Sequence, residues 1–397
     1  MTLTAIINKQ VIEKKKEDYQ KYKDLYQITH KFIKEHEYLV YGGLAINLAL
    51  PIAERFYADY ELPDYDFFCP NSFKVAKNLA DIYAANSYKY IEVKPGLHSG
   101  TYKVFVEFMP VADITDVPLA LFNKMNDISK LEKSLILKNN PTIDLNIVPL
   151  DFLRMSTHLE LSRPNGFIER WEKVFYRMQL LYSSYPILIS QCEIFIPNPI
   201  FDKLIKSIKT FMKKRNVLYT GPEVVKYYLK LSGYISDMSN LDFISMNYKE
   251  DAEYIVAELL KIIDKTQYDI KLTHYSALNK SQILPQHYII KLIDKTKSAR
   301  KNTQYLCTVF ESVSCYSYKT VSQVKYASID TILSFLYAFL LSTRTYINYE
   351  KTKCIISHLQ INKSNFELKC YGIQEQPNDI KKNRWDQGKR PLIYRPK

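Results

Sequence analysis

The chain has 397 residues, 47% of them hydrophobic and 24% charged, so it can bury the cores of two or three domains, and global disorder is excluded. Its six cysteines include no Cys-x-x-Cys pair, which argues against a zinc ribbon or a disulfide framework and predicts reduced thiols. The longest strongly apolar run, residues 332–341, is too short to span a bilayer. We therefore predict a buried helix there and expect neither a membrane partner nor a secretory leader.

The formal net charge is +13. Such an excess of Lys and Arg favours a polyanionic partner, because clustered cations attract phosphate backbones. An A/T-rich coding sequence would explain the same excess, together with the 33 Tyr and only 9 Gly. Charge alone leaves both interpretations open.

The first predicted elements surround a pair of glycines. A charged helix over residues 10–39 leads into a short apolar strand at 38–40. Gly42 and Gly43 follow, and then a helical run that Pro51 ends.

Acidic and aromatic residues then alternate over 63–68, which predicts a strand. An amphipathic helix over 72–86 and strands over 102–108 and 111–114 follow. The resulting β-α-β-α-β-β order predicts an α+β (mixed α/β) domain over residues 36–150.

A faint internal repeat follows the helical stretch 150–185 and the prolines near residue 197. Val217 to Pro222 with its helical continuation is similar to the stretch around Gly42. Asp242 with the amphipathic run 247–262 is similar to Asp66 and its following helix. We predict a second copy of the same domain that has lost its chemistry, since Asn240 stands in place of Asp64. Chance similarity in a biased composition is the alternative.

These patterns predict four segments. They are an N-terminal helical segment (1–35), a first domain with trailing helices (36–190), a second domain (191–375) and a basic tail (376–397).

Three carboxylates carry the predicted chemistry. Asp64 and Asp66 are two residues apart on one strand, so both side chains point to the same face and can bridge two divalent cations. Asp113, inside a later strand, is the predicted third ligand, and it can orient or deprotonate an attacking hydroxyl. Asp116, in what reads as a turn, is its rival. A solvated turn after Pro63 is the alternative for the first pair.

Gly42 and Gly43 lie at a strand-to-helix turn, where the backbone can approach a triphosphate and the first amides of the helix can bind its oxygens. A strand, Gly-Gly, a helix, Asp-x-Asp and a lone later Asp together predict a nucleotidyltransferase. Basic residues on the following helices could meet phosphates or simply form a solvated face; they are Arg154, Arg163, Arg170 and Lys173.

Three stretches, 41–46, 62–68 and 111–115, resemble the poly(A) polymerase catalytic subunits of large cytoplasmic DNA viruses, of the poxvirus, African swine fever virus and giant-virus type. The segment 153–174 is similar to the giant-virus members. The resemblance is good over residues 36–190 and weak beyond them.

The resemblance implies a nucleotidyltransferase domain followed by a degenerate, inactive copy. It implies that AMP from ATP is added to mRNA 3′ ends with two Mg²⁺ or Mn²⁺ ions held by Asp64, Asp66 and Asp113, and with Gly42 and Gly43 binding the nucleotide. It further implies action in the host cytoplasm or viral factory, with virions possible, and either self-association or a processivity subunit.

Two other functions remain open at this point. One is an RNA nucleotidyltransferase of different NTP specificity, and the other is a non-catalytic RNA-binding or processivity partner. The three like charges argue against the second, because a binding module has no need to hold them together.

Overall fold

A computed structural model gives the fold. It describes residues 2–96, 98–188, 194–195, 199–230, 234–235, 241–278, 283–298, 302–342, 344, 348–360, 368–372 and 393–396. Asn240 and most of the predicted basic tail lie outside the described residues.

Helices and strands alternate along the first half of the chain. The helices are α1 (Leu3–Glu35), α2 (Gly42–Ala49), α3 (Ser72–Ala85), α4 (Leu119–Asn139), α5 (Leu150–Leu161) and α6 (Trp171–Ser184). The strands are β1 (Leu39–Val40), β2 (Asp66–Cys69), β3 (Glu92–Pro95), β4 (Thr101–Val106) and β5 (Met109–Asp116).

The second half has more strands. Its helices are α7 (Pro199–Met212), α8 (Pro222–Leu229), α9 (Tyr248–Leu259), α10 (Ile329–Leu341) and α11 (Tyr349–Leu359). Its strands are β6 (Ile194–Phe195), β7 (Val217–Thr220), β8 (Tyr234–Ile235), β9 (Leu241–Ser245), β10 (Tyr268–Tyr275), β11 (His287–Asp294), β12 (Thr303–Glu311), β13 (Cys315–Val321), β14 (Val324–Ala327) and β15 (Cys370–Gly372).

The chain divides into two compact units, and the division does not follow chain order. Unit 1 comprises residues 1–153, 179–185 and 381–397, and unit 2 comprises 154–178 and 186–380. The predicted segments run continuously along the chain, whereas the helical residues 154–178 pack with the later strands. Local periodicity shows that a segment is helical but not which core it joins.

Unit 1 is built on a five-stranded sheet in the order β1-β2-β5-β4-β3. Only β2 and β5 of this sheet pair in parallel. Helix α3 packs on the sheet, and Val93, Val104 and Ile114 on one face of the sheet are fully buried. The opposite face carries Lys94, Lys103 and other partly exposed residues. A sheet of this kind has one apolar and one polar face because its side chains alternate.

Unit 2 repeats the order and direction of these strands. Its eight-stranded sheet contains the series β7-β9-β12-β11-β10, in which only β9 and β12 are parallel. Helices α8 and α9 occupy the chain positions of α2 and α3. The predicted second copy of the domain is therefore confirmed, and so is the α+β class.

Unit 2 also differs from the sequence expectation for the cysteines. A disulfide joins Cys315 and Cys370, which lie on the neighbouring strands β13 and β15. The expectation that all thiols are reduced is therefore wrong for this pair. The sequence could not predict the pair, because it depends on strand register between residues 55 positions apart. The predicted buried helix at 332–341 is confirmed, since every residue of α10 is buried. No described helix is long and apolar enough to cross a membrane.

We predict a pH-dependent loss of stability from His287 in the core of unit 2. Burial lowers the pKa of this fully enclosed imidazole to about 4, although it hydrogen-bonds the Pro285 carbonyl at 2.8 Å. Below pH 6.5 the His287 imidazole binds a proton in the unfolded chain, whereas in the folded chain it stays neutral until the pH approaches 4. This contribution to stability is therefore lost as pH falls from 6.5 towards 4.

Between pH 7 and 5 the loss from His287 is on the order of 2 kcal/mol. Urea unfolding of the wild type and of His287→Gln at both pH values measures it. An equal pH dependence in the two proteins would contradict the assignment.

Candidate functional site

The partly exposed face of the unit 1 sheet, which carries Lys94 and Lys103 and is called the open face below, brings predicted carboxylates together. Asp66 begins β2 and lies directly opposite Asp113 on β5. The backbone amide of Asp113 donates to the Tyr65 carbonyl at 2.9 Å, which holds the Asp-x-Asp segment against β5. Asp64 is exposed and lies two residues before the strand, so the prediction that both acids are on one strand is wrong for Asp64. Parallel pairing of β2 with β5 places Asp113 beside Asp66.

Gly42 forms the second part of the site. It begins α2 with a backbone φ of +72°, and a Cβ atom there would lie 2.8 Å from Asp66 Oδ2. Both observations require glycine, because other residues are strained at this φ and a methyl group would meet the carboxylate. Gly43 lies in the first turn of α2, whose leading amides have no partner within the helix.

Asn47 on α2 orders the loop that returns to the acids. Its side-chain oxygen accepts hydrogen bonds from the amides of Phe56 and Tyr57, at 2.9 and 3.0 Å. This role could not be predicted from the sequence, since an asparagine within an apolar helix gives no signal of the loop it binds.

A lysine and a tyrosine lie close to the acids. Lys103 on β4 lies opposite Asp113, and its ammonium nitrogen is 2.5 Å from Asp113 Oδ2. Burial nevertheless raises the pKa of Asp113, and the charge of Asp64 adds to the rise. Burial also raises the pKa of Tyr41, and all three carboxylates contribute through their charge. The charges of Asp64, Asp66 and Asp113 therefore all reach the same side chain, Tyr41.

Asp116 has a different position from the one predicted for it. It is the last residue of β5 rather than part of a turn. Its Oδ1 accepts from the amide of Asn71 at 2.7 Å and from that of Ser72 at 3.4 Å. Asp116 thus binds the start of α3, where a carboxylate also complements the helix dipole.

The carboxylates suit hard divalent cations in donor type and location. Among the described residues, however, no three acidic, His or Cys side chains already have a metal-binding arrangement. The ammonium group of Lys103 contacts Asp113 instead. His98 acts electrostatically on Asp113, whereas Arg154, Arg163, Arg170 and Lys173 belong to unit 2.

Unit 2 reproduces the geometry but keeps only one of the paired acids. Gly221 has φ +70°, and a Cβ there would lie 2.2 Å from Asp242 Oδ2. Asp242 therefore corresponds to Asp66. Thr308 lies opposite Asp242 on β12, so a threonine occupies the place of Asp113. The counterpart of Asp64, Asn240, is outside the described residues.

Comparison with known proteins agrees with this geometry. Residues 27–166 match the family model described as "Poly(A) polymerase catalytic subunit". A candidate poly(A) polymerase catalytic subunit of Acanthamoeba polyphaga mimivirus is 26% identical over 350 residues, covering 78% of this chain and 57% of the relative. The African swine fever virus counterpart (strain Badajoz 1971 Vero-adapted) is 30% identical over 168 residues, which cover 41% of this chain and 33% of the relative.

The crystal structure of the Megavirus polyadenylate synthase superposes with a TM-score of 0.80. The superposition covers 100% of this chain and 84% of the Megavirus chain, at 21% sequence identity. It therefore supports a shared fold. This chain spans little more than half the length of the mimivirus relative. The resemblance seen in the sequence is confirmed: the chain is similar to viral poly(A) polymerase catalytic subunits.

We predict that replacing Asp113 weakens metal binding, whereas replacing Asp116 lowers only stability. Asp116→Ala should lower the free energy of unfolding by about 1 kcal/mol, because α3 loses the acceptor at its start, and should leave Mn²⁺ affinity unchanged. Asp113→Ala should weaken Mn²⁺ binding because a ligand is lost. Calorimetric Mn²⁺ titration and thermal unfolding of both variants measure these effects. The reverse pattern would make Asp116 the ligand.

Proposed function

We propose that this chain is a template-independent polynucleotide adenylyltransferase that transfers AMP from ATP to RNA 3′ ends. The observation that carries the proposal is the register of Asp66 with Asp113, beside a glycine turn whose Gly42 leaves room for the Asp66 carboxylate. The match of residues 27–166 to the poly(A) polymerase catalytic subunit model supports the same function.

Asp64, Asp66 and Asp113 would hold the two Mg²⁺ or Mn²⁺ ions. Bound there, such ions neutralise charge on the attacking 3′-oxygen and on the leaving pyrophosphate. Carboxylate ligands are the donors these cations prefer. In the absence of an ion, the Lys103 ammonium offsets the charge of Asp113.

The remaining roles fall to the glycine turn and to Asp113. Gly42 and Gly43 begin α2, so we assign them to the triphosphate, whose oxygens can accept from the first helical amides. Asp113 is partly exposed on the open face, where it can orient the 3′-hydroxyl and accept its proton. Transfer then joins the 3′-oxygen to the α-phosphorus and releases pyrophosphate.

We assign unit 2 a non-catalytic role. Thr308, opposite Asp242, has no carboxylate to offer a cation. The repeated fold therefore keeps the turn without the ligand set.

RNA and ATP are the proposed substrates, and a homodimer or a separate processivity subunit is the proposed assembly. Because the matched relatives are viral proteins, the proposed location is the cytoplasm or viral factory of an infected cell, or the virion.

The nearest alternative is a related enzyme that adds another nucleotide. Incubating a labelled RNA separately with ATP, CTP, GTP and UTP, each with Mg²⁺, distinguishes the two. Long products with ATP alone support the proposal. Equal extension with another nucleotide contradicts it, and RNA binding without extension favours the non-catalytic role.

We predict that Asp64→Asn or Asp66→Asn abolishes adenylate addition while leaving the fold intact. Each change removes a cation ligand and several kcal/mol of transition-state stabilisation. Asp242→Ala is the matched control and should retain the chemical step. Primer extension by folded protein at saturating Mg²⁺ measures this. Near-normal extension by the unit 1 variants would refute the ligand assignment, and its loss in Asp242→Ala would give unit 2 a catalytic role.

The two glycine turns provide a second matched pair. Gly42→Ala and Gly221→Ala should each lower stability by at least about 1–2 kcal/mol, because alanine is strained at positive φ. Only Gly42→Ala should also stop AMP addition, since its methyl group displaces the Asp66 carboxylate. Thermal unfolding and primer extension of both variants test this. Equal loss of activity in folded proteins would mean that both turns serve the reaction.

A further inference from the structure

A row of charged side chains crosses the open face of the unit 1 sheet. Asp66 lies opposite Asp113, Asp113 opposite Lys103, and Lys103 opposite Lys94 on the edge strand β3. Residues paired directly across strands share one face. The face that carries the two acids therefore continues into two lysines, whose side chains are 38% and 42% exposed.

Aromatic rings lie beyond these lysines. Tyr90 and Phe108 stack on each other with 5.1 Å between ring centroids and 24° between planes. They line a groove with Phe105, Lys94 and Arg395. The ammonium nitrogen of Lys94 lies 5.2 Å from the centroid of Phe105, so a cation and an aromatic ring are in contact within the groove.

The two stacked rings are largely exposed to water. Tyr90 and Phe108 are 68% and 77% exposed, and their backbone φ values are +52° and +68°. Phe108 belongs to the two-residue turn between β4 and β5, where Glu107 also has positive φ, as a tight hairpin turn requires. An exposed, stacked aromatic pair is suited to binding a ligand with flat faces.

We propose that this surface binds single-stranded RNA immediately upstream of the 3′ end placed at Asp113. The basic-aromatic track, as we name it, consists of Lys103, Lys94, Phe105, Tyr90, Phe108 and Arg395. The inference rests on the proposed function and assigns the path of its RNA substrate.

The chemistry of the track favours nucleic acid. Bases of any sequence stack on aromatic rings, and lysine or arginine side chains meet the phosphates between them. Glu92 contacts both Lys94 and Arg395, so this trio keeps one net positive charge.

The test compares ring removal with ring exchange in the full-length chain. Tyr90→Asn with Phe108→Asn removes both rings, and asparagine tolerates positive φ. Tyr90→Phe with Phe108→Tyr keeps them. Fluorescence titration of a labelled oligoadenylate without ATP should show at least about a fivefold loss of affinity for the first protein and wild-type affinity for the second. An unchanged affinity in the first, with unchanged circular dichroism, overturns the proposal.

Lys94→Met tests the phosphate contact independently. The slope of log affinity against log salt should become shallower by about 0.7, the value for one phosphate contact on a single strand. Lys261→Met and Tyr176→Ala change side chains of unit 2 that are exposed to water and should leave both slope and affinity unchanged. An unchanged salt dependence of RNA affinity in Lys94→Met would contradict the proposed contact between Lys94 and an RNA phosphate.

Kinetics separate this proposal from its rivals and from the proposed function. With ATP, the ring-removal variant should have a raised KM for RNA and an unchanged rate at saturating RNA. A raised KM for ATP with unchanged RNA affinity would assign the track to nucleotide instead. A changed sedimentation coefficient with unchanged RNA affinity would assign it to protein contact. If the wild type binds RNA through these rings but adds no nucleotide, the track stands and the polymerase proposal fails.

Discussion

The close approach of the Gly42 turn to the Asp66 carboxylate is the constraint on which the site depends. A Cβ atom at Gly42 would lie 2.8 Å from Asp66 Oδ2, so β1, the turn and the start of β2 can meet only without a side chain there. The Tyr41 amide fixes the approach by donating to the Asp66 carbonyl at 2.9 Å. The turn that can bind phosphates and the strand that presents Asp66 are thereby joined by a backbone hydrogen bond.

The same constraint in unit 2 shows which part of the site is fold and which is chemistry. Gly221 approaches Asp242 even more closely than Gly42 approaches Asp66, and the strand order is the same. Opposite the acid, however, lies Thr308 rather than an aspartate. The turn and one acid therefore belong to the architecture, whereas the second acid across the parallel pair distinguishes the unit that we propose to be catalytic.

Holding several carboxylates on one sheet face is costly in the absence of cations, because like charges repel and burial penalises ionisation. Lys103 offsets this cost at Asp113 without burying the pair, since both side chains remain partly exposed. Its position opposite Asp113 also joins the acids to Lys94 and the aromatic groove. One register across four strands thus links the proposed chemistry to the proposed RNA path.

The sequence by itself determined the local features of this protein. Alternation and turn residues predicted β1, α2, β2 and α3, and the repeat around Gly221 and Asp242 predicted the second copy, because each signal lies within a short stretch. Strand β3 and the helix α4 had no prediction. Only the tertiary structure decided the register that sets Asp113 between Asp66 and Lys103, the use of Asp116 to bind α3, and the packing of residues 154–178 with unit 2. These features depend on pairing between distant residues, and side-chain periodicity along one segment carries no information about its partner.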